Sequence, residues 1–242
     1  MNLEQGQELH GFTVLTAEPL PEIDGDAYTL SHPVSGAKLP YLRNDDRNKA
    51  FSIAFRTPPA DDTGVFHILE HSVLCGSEKF PVKEPFVNLL KTSMQTFLNA
   101  MTFGDKTLYP VASTNDQDLI NLADVYMDAV LHPDIYRKRQ VFEQEGWHLE
   151  VADAEQGQAE TGRQLTYNGV VYNEMKGALS DSTSVLYDQL QASLFPRHPL
   201  RVRVRRHPRG HPHAHLRALP GGTRAPLPPG QQLHRLVRQP GP

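Results

Sequence analysis

His67, Glu70 and His71 stand together in the string HILEH. In a helix, positions i and i+4 share a face, so both imidazoles can reach a single metal ion about one turn apart. Glu70 follows His67 by three residues and points to the same side. A carboxylate there can hold a water and take its proton, the general-base step of metal-assisted hydrolysis. With 12 His and 13 Glu in 242 residues, the pattern arises by accident about 0.03 times. A surface helix with two histidines and a salt-bridging glutamate would give the same letters. Two imidazoles also leave a zinc site one protein ligand short.

The segments around the string must position it. Polar Asp61-Asp62-Thr63-Gly64 precedes a helical pattern from about Val65 to Leu74, stopped by Gly76, and its acidic residues favour a helix start. Upstream, Phe12–Leu15, Tyr28–Leu30, Lys38–Leu42 and Ala50–Phe55 read as strands between turn clusters. Pro85 opens a second helix, with Phe86, Leu89, Leu90 and Met94 as its apolar face. Residues 101–113 read as a hairpin turning at Gly104-Asp105. Thr114 or Asn115 can cap the next helix, whose apolar positions are Leu119, Leu122, Ala123, Tyr126, Val130 and Leu131. His132-Pro133 ends it. A shorter helix is expected from Ile135 to Gln144, a strand from Trp147 to Val151, a polar loop over 153–163, and helices over 169–179 and 183–194. Strands first, then helices mixed with a hairpin, predict an α+β fold: an antiparallel or mixed sheet with helices mainly on one face. Phe142, Trp147 and the Tyr126/Val130 stripe read as core.

Composition narrows the function classes. No apolar run approaches the ~18 residues of a membrane-spanning helix. The one cysteine, Cys75, excludes an intrachain disulfide and a cysteine-based zinc knuckle. With no base identified for it, Cys75 reads as a small buried apolar residue rather than a nucleophile. The opening MNLEQGQELHGF has neither the basic and apolar regions of a secretory signal nor an Arg-rich transit pattern, which points to the cytoplasm.

Charge divides the chain sharply. Residues 1–196 carry a net −14, whereas residues 197–242 hold ten Arg, six His, nine Pro and no acid. This end also lacks Lys, Asn, Ile, Phe, Tyr, Met and Ser, whose codons are mostly AT-containing. The bias favours an out-of-frame reading of GC-rich DNA over a natural basic arm for nucleic acid. Such a segment cannot bury enough apolar surface to fold and is expected to be disordered. The chain therefore divides into a domain over 1–196 and a tail over 197–242.

From Gly11 to about Pro196 the sequence resembles the presequence-protease branch of the pitrilysin/insulysin metallopeptidases. The matching segments are HGF near the start, TGVFHILEHSVLCGSEKFP, TFLNAMTFGDKTLYPVAS, QEGWHLE and GVVYNEMKGALSD, in family order. HxxEH is the inverted zinc motif of that group. The resemblance implies a zinc metalloendopeptidase that hydrolyses unfolded peptides, with Zn²⁺ held by His67, His71 and Glu174 and with Glu70 as base. It also implies that Asn99 and Ala100, in LNAMT, lie at the active-site edge, where Asn99 hydrogen-bonds substrate backbone. Asn99 acting only as a turn residue is the equal alternative. Family members resemble a clamshell of four α+β domains with the zinc in the first. Residues 1–196 would be most of that first domain, with the second half missing and activity alone weak or absent. A non-catalytic module of the same fold and a basic-tailed nucleic-acid binder are the competing readings.

Overall fold

The computed structural model describes residues 2–151 and 165–196. The expected polar loop over 153–163 and the tail over 197–242 lie outside the described residues. Strands β1 (Glu8–Leu9), β2 (Phe12–Leu20), β3 (Gly25–Ser31) and β4 (Lys38–Arg43) form one antiparallel sheet in chain order. Leu3, Val14, Tyr28 and Leu30 make its small core.

The second sheet carries the site. Its central strand β8 (Lys106–Ser113) pairs antiparallel with β5 (Lys49–Arg56) on one side, and with β6 (Gln95–Leu98) and β7 (Met101–Thr102) on the other. Thr107, Tyr109, Val111 and Ser113 alternate along β8 as buried residues. Tyr109 and Val111 join Ile53 and Leu98 from the sheet and Val73, Leu122 and Tyr126 from two helices in the main core. Those helices are α1 (Val65–Val73) and α3 (Asp116–Leu131). The short helix α2 (Pro85–Thr92) adds Phe86 and Leu89 to the same core. The α+β expectation holds.

Local chemistry sets the boundaries. Asn115, not Thr114, caps α3, its Oδ1 accepting from the Asp118 N–H at 3.0 Å. The hairpin turns where expected, with Phe103 N–H donating to Lys106 O at 2.7 Å. The α2 reading ran too long. Thr92 and Ser93 turn their hydroxyls back onto the carbonyls of Asn88 and Leu89, the backbone becomes extended at Ser93, and Met94 is left exposed. Strand β6 follows directly.

The helix read over Ile135–Gln144 is also two pieces. A 3-10 turn (Asp134–Tyr136) precedes α4 (Arg139–Glu145), separated by extended backbone at Lys138. Buried Asp134 holds this turn by pairing with Arg137 at 2.9 Å and Lys138 at 2.6 Å. Strands β9 (His148–Val151) and β10 (Leu165–Asn168) pair antiparallel, and α5 (Val170–Ala178) and α6 (Ser182–Leu194) follow.

Pro110 sits in the central strand, where it has no N–H to give. The neighbouring ladder breaks at that level. Leu98 pairs with Val111 and Met101 with Leu108, while the intervening Asn99 N–H donates to Pro110 O at 3.1 Å. The interruption at Asn99-Ala100 thus falls where a partner strand would find no donor.

Two glycines fix how α4, β9 and α5 meet. A Cβ at Gly169 would lie 2.3 Å from the Gly146 carbonyl oxygen and 2.8 Å from Trp147 Cα. A Cβ at Gly146 would lie 2.9 Å from Phe142 O and 3.2 Å from Ile68 Cγ2 of α1. Only backbone fits at this crossing. Gly169→Ala should therefore destabilise the fold by about 1–3 kcal/mol, the usual cost of overpacking. Thermal unfolding checks this: a lower midpoint is expected, and an unchanged one would show that the crossing tolerates a side chain.

Candidate metal centre

Three helices build the site around a second apolar cluster. Ile68 of α1, Phe142 of α4, and Val171 and Met175 of α5 pack together with Ile135, all buried. Each such side chain contributes about 1.5–3 kcal/mol on burial. Three of them stand next to, or one turn from, a group of the site: Ile68 beside His67, Phe142 a turn before Glu145, Met175 beside Glu174. Leu69 and Val73 tie the other side of α1 to the sheet core. Helix α1 is thereby clamped between two cores, and His67, Glu70 and Ser72 are buried with it. Its entry is a tight turn: Asp61 accepts from both the N–H and the hydroxyl of Thr63, and Gly64 at φ 70° serves as N-cap. Asp61 thus shapes the turn, and no side chain caps the helix.

His67, His71 and Glu174 converge. Glu174 Oε2 lies 3.6 Å from His67 Nε2 and 3.5 Å from His71 Nε2. The three donor atoms are all within 4.8 Å of one another. The histidine rings stand edge to face, 5.0 Å between centroids. These N···O separations are longer than a direct hydrogen bond of about 2.7–3.2 Å. They come close to the spacing of two ligands on a tetrahedral ion, roughly 3.3–3.4 Å for bonds of about 2.0–2.1 Å. Two imidazoles and a carboxylate are a donor set suited to zinc, and this geometry fits it. Glu174 is 41% exposed, so the donor set opens to solvent on its side.

One functional side chain was not assigned a role in the sequence reading. Glu145 ends α4 and is buried, with Oε2 3.4 Å from His71 Nδ1. Its Oε1 accepts from Gln144 Nε2 at 2.9 Å and from the Cys75 thiol at 3.3 Å. A carboxylate at Nδ1 selects the tautomer whose Nε2 lone pair is available to metal and makes that nitrogen more basic. QEGWHLE contained the signal, but nothing in the sequence said that its Glu would face His71. Cys75 is half-buried and polar in use rather than simply apolar.

Charge explains the titration of this cluster. Burial pulls His71 down, but its hydrogen bond with Glu145 and the charges of Glu70, Glu145 and Glu174 outweigh that and raise it above 6.5. Burial pushes Glu145 up, yet hydrogen bonds from His71, Cys75 and Gln144 bring it below 4.5. Burial drives the Cys75 thiol well above its ordinary value, with Glu145 adding to the effect. Tyr109 moves far upward through burial and the nearby Glu70 charge.

At the sheet edge, Asn99 is exposed and Ala100 half-buried, on the β6–β7 side of the sheet, with β7 against α1. Asn99 Oδ1 accepts from the Ala100 N–H at 2.9 Å, and Asn99 O accepts from the Tyr126 hydroxyl at 3.3 Å. The side-chain oxygen is thus used locally.

Several known proteins are related to this chain in sequence. Over 196 residues the chain is 53% identical to Protein HypA of Clostridium perfringens, covering 81% of this chain and 19% of that protein. It is 48% identical over 186 residues to presequence protease 1, chloroplastic/mitochondrial, of Arabidopsis thaliana, covering 77% of this chain and 17% of that protein. To the mitochondrial presequence protease of Mus musculus it is 44% identical over 197 residues, or 81% of this chain and 18% of that protein. Over about four fifths of its length the chain is a homologue of presequence proteases.

The crystal structure of pitrilysin superimposes with a TM-score of 0.56 over 94% of this chain and 21% of pitrilysin, at 17% identity, which shows a shared fold. No protein-family model matches the chain. The chain spans under a fifth of the length of these curated relatives. Two of the three are named for mitochondria or chloroplasts, unlike the cytoplasmic placement expected here. No helix among the described residues is long and apolar enough to cross a membrane.

Replacing Glu145 by Gln removes the negative charge from His71 Nδ1. A histidine with a raised value holds its proton to higher pH, so its contribution to the metal-free fold is present below about 6.5 and lost as pH rises through the raised value. In Glu145→Gln the His71 titration, followed by NMR of the imidazole, should move down. Zinc affinity at neutral pH should nevertheless fall about 10- to 100-fold, since ring orientation and basicity are lost. An unmoved titration, or unchanged affinity, would mean that Glu145 does not act on His71.

Proposed function

We propose that residues 1–196 are the metal-bearing domain of a zinc metalloendopeptidase acting on unfolded peptides. The carrying observation is the convergence of His67, His71 and Glu174 on helices held by one core, with Glu174 Oε2 3.6 Å and 3.5 Å from the two histidine Nε2 atoms. His67 and His71 through Nε2, and Glu174 through Oε2, would hold the ion. When bound, zinc supplies Lewis acidity toward the scissile carbonyl.

The protein's own groups do the rest. Glu70, buried on the same helix, takes the proton of the attacking water and passes it to the leaving amine. Glu145 keeps His71 neutral at Nε2 by holding the proton at Nδ1. The β6–β7 edge accepts an extended peptide by strand addition, which orients the scissile bond. Asn99 and Ala100 would contact that peptide; because Asn99 Oδ1 is taken by Ala100, its side-chain NH2 is the group offered to a peptide carbonyl. The intact His67, Glu70 and His71 weigh against a non-catalytic module.

Positioning supplies ~7–11 kcal/mol of a typical barrier, and in longer relatives other parts of the protein would share that work. Cleavage of an unstructured fluorogenic peptide should therefore be measured in this chain and with residues 1–196 grafted into the Clostridium perfringens relative. Glu70→Gln should retain zinc and lose ~10²–10⁴-fold in kcat/KM. Glu174→Gln should instead weaken zinc binding itself. Near-full turnover by Glu70→Gln in an active graft would remove Glu70 from the base role.

A further inference from the structure

We infer that Cys75 is a positioning residue for the metal centre, its thiol proton fixing the buried Glu145 carboxylate that in turn orients His71. The inference rests on the zinc reading above and extends it outward. Cys75 lies one helical turn beyond His71, just past the end of α1, so both reach toward the end of α4. Between them sits Glu145, with Oε2 3.4 Å from His71 Nδ1 and Oε1 3.3 Å from Cys75 Sγ. One carboxylate thus bridges a proposed ligand and the thiol.

The thiol has one proton and two acceptors in reach: Glu145 Oε1, and His71 O at 3.5 Å. The carboxylate is the nearer and, being ionised, the stronger acceptor. Gln144 supplies the second donor to the same oxygen at 2.9 Å. Two donors on Oε1 turn Oε2 toward the imidazole and leave the carboxylate little freedom to rotate. A buried carboxylate that lost one donor would be under-solvated and would reorient toward a replacement. The strain would appear at His71.

This role needs the thiol as a hydrogen-bond donor, not as a nucleophile or a metal ligand. Serine should therefore replace it and alanine should not. A zinc-ligating thiolate would show a different pattern, because serine is a poor substitute for sulfur on zinc.

Zinc affinity of the 242-residue chain, measured by competition with a chromophoric chelator, tests the idea, with circular dichroism confirming that each variant is folded. Cys75→Ala should bind zinc roughly 3- to 10-fold more weakly, a smaller effect than removing a residue that touches the ligand itself. Cys75→Ser should stay within about twofold of wild type. In a Glu145→Gln background, Cys75→Ala should cause no further loss, because the two act as one unit. Unchanged affinity in Cys75→Ala, equal losses in Ala and Ser, or full additivity with Glu145→Gln would each overturn the inference while leaving the zinc site standing. Failure of the wild-type chain to bind zinc would overturn both.

Discussion

The site depends on a backbone-to-backbone contact between Gly146 and Gly169. Gly146 directly follows Glu145 and packs on Ile68 of α1, while Gly169 opens α5 and touches Gly146 in turn. That chain of close approaches sets the separation of three helices. It brings two carboxylates from distant parts of the sequence to opposite sides of His71, one at each ring nitrogen. Side chains complete the registration. Asn168 Oδ1 accepts from the Gly169 N–H and from the Asn173 side chain, which pins the first turn of the helix that carries Glu174. Ile68, Phe142, Val171 and Met175 then lock the three helices over one apolar cluster. With a methyl at the crossing, both carboxylates would move away from α1.

Electrostatics gives this arrangement its purpose. Glu70 and Glu145 are buried, and Glu174 stands at the rim of the same cluster. Gathering carboxylates in a partly desolvated place costs several kcal/mol per charge unless a cation answers them. In the metal-free protein these carboxylates favour the protonated form of His71, whose proton is held more tightly than usual. A divalent ion at the three donor atoms would answer the same charge more strongly, and His71 must release its proton to bind it. The fold is thus built around a demand for positive charge.

Much of the architecture was legible in the residues. HILEH gave its helix and its shared face because i,i+4 spacing is a property of the helix alone. Strand and helix order followed from periodicity, and boundaries slipped where side chains compete with the backbone. Thr92 and Ser93 ended α2 early, and buried Asp134 folded a separate turn ahead of α4. Glu174 was reached through likeness to a family, since an isolated glutamate on a helix carries no mark of its partners. Glu145 escaped because it acts across 74 residues of chain on a ring nitrogen, through contacts that exist only after α1 and α4 pack. The glycines at 146 and 169 escaped for the same reason: a lone Gly beside a strand does not announce what approaches it.

The central claim is that His67, His71 and Glu174 form one metal site. Calorimetric titration of zinc into the metal-free 242-residue chain tests it most directly. One saturable site at about one zinc per chain is predicted, with that site lost or greatly weakened in Glu174→Ala and in His67→Ala. A folded wild-type chain that takes up no zinc, or a Glu174→Ala chain that binds it as tightly as wild type, would contradict the account.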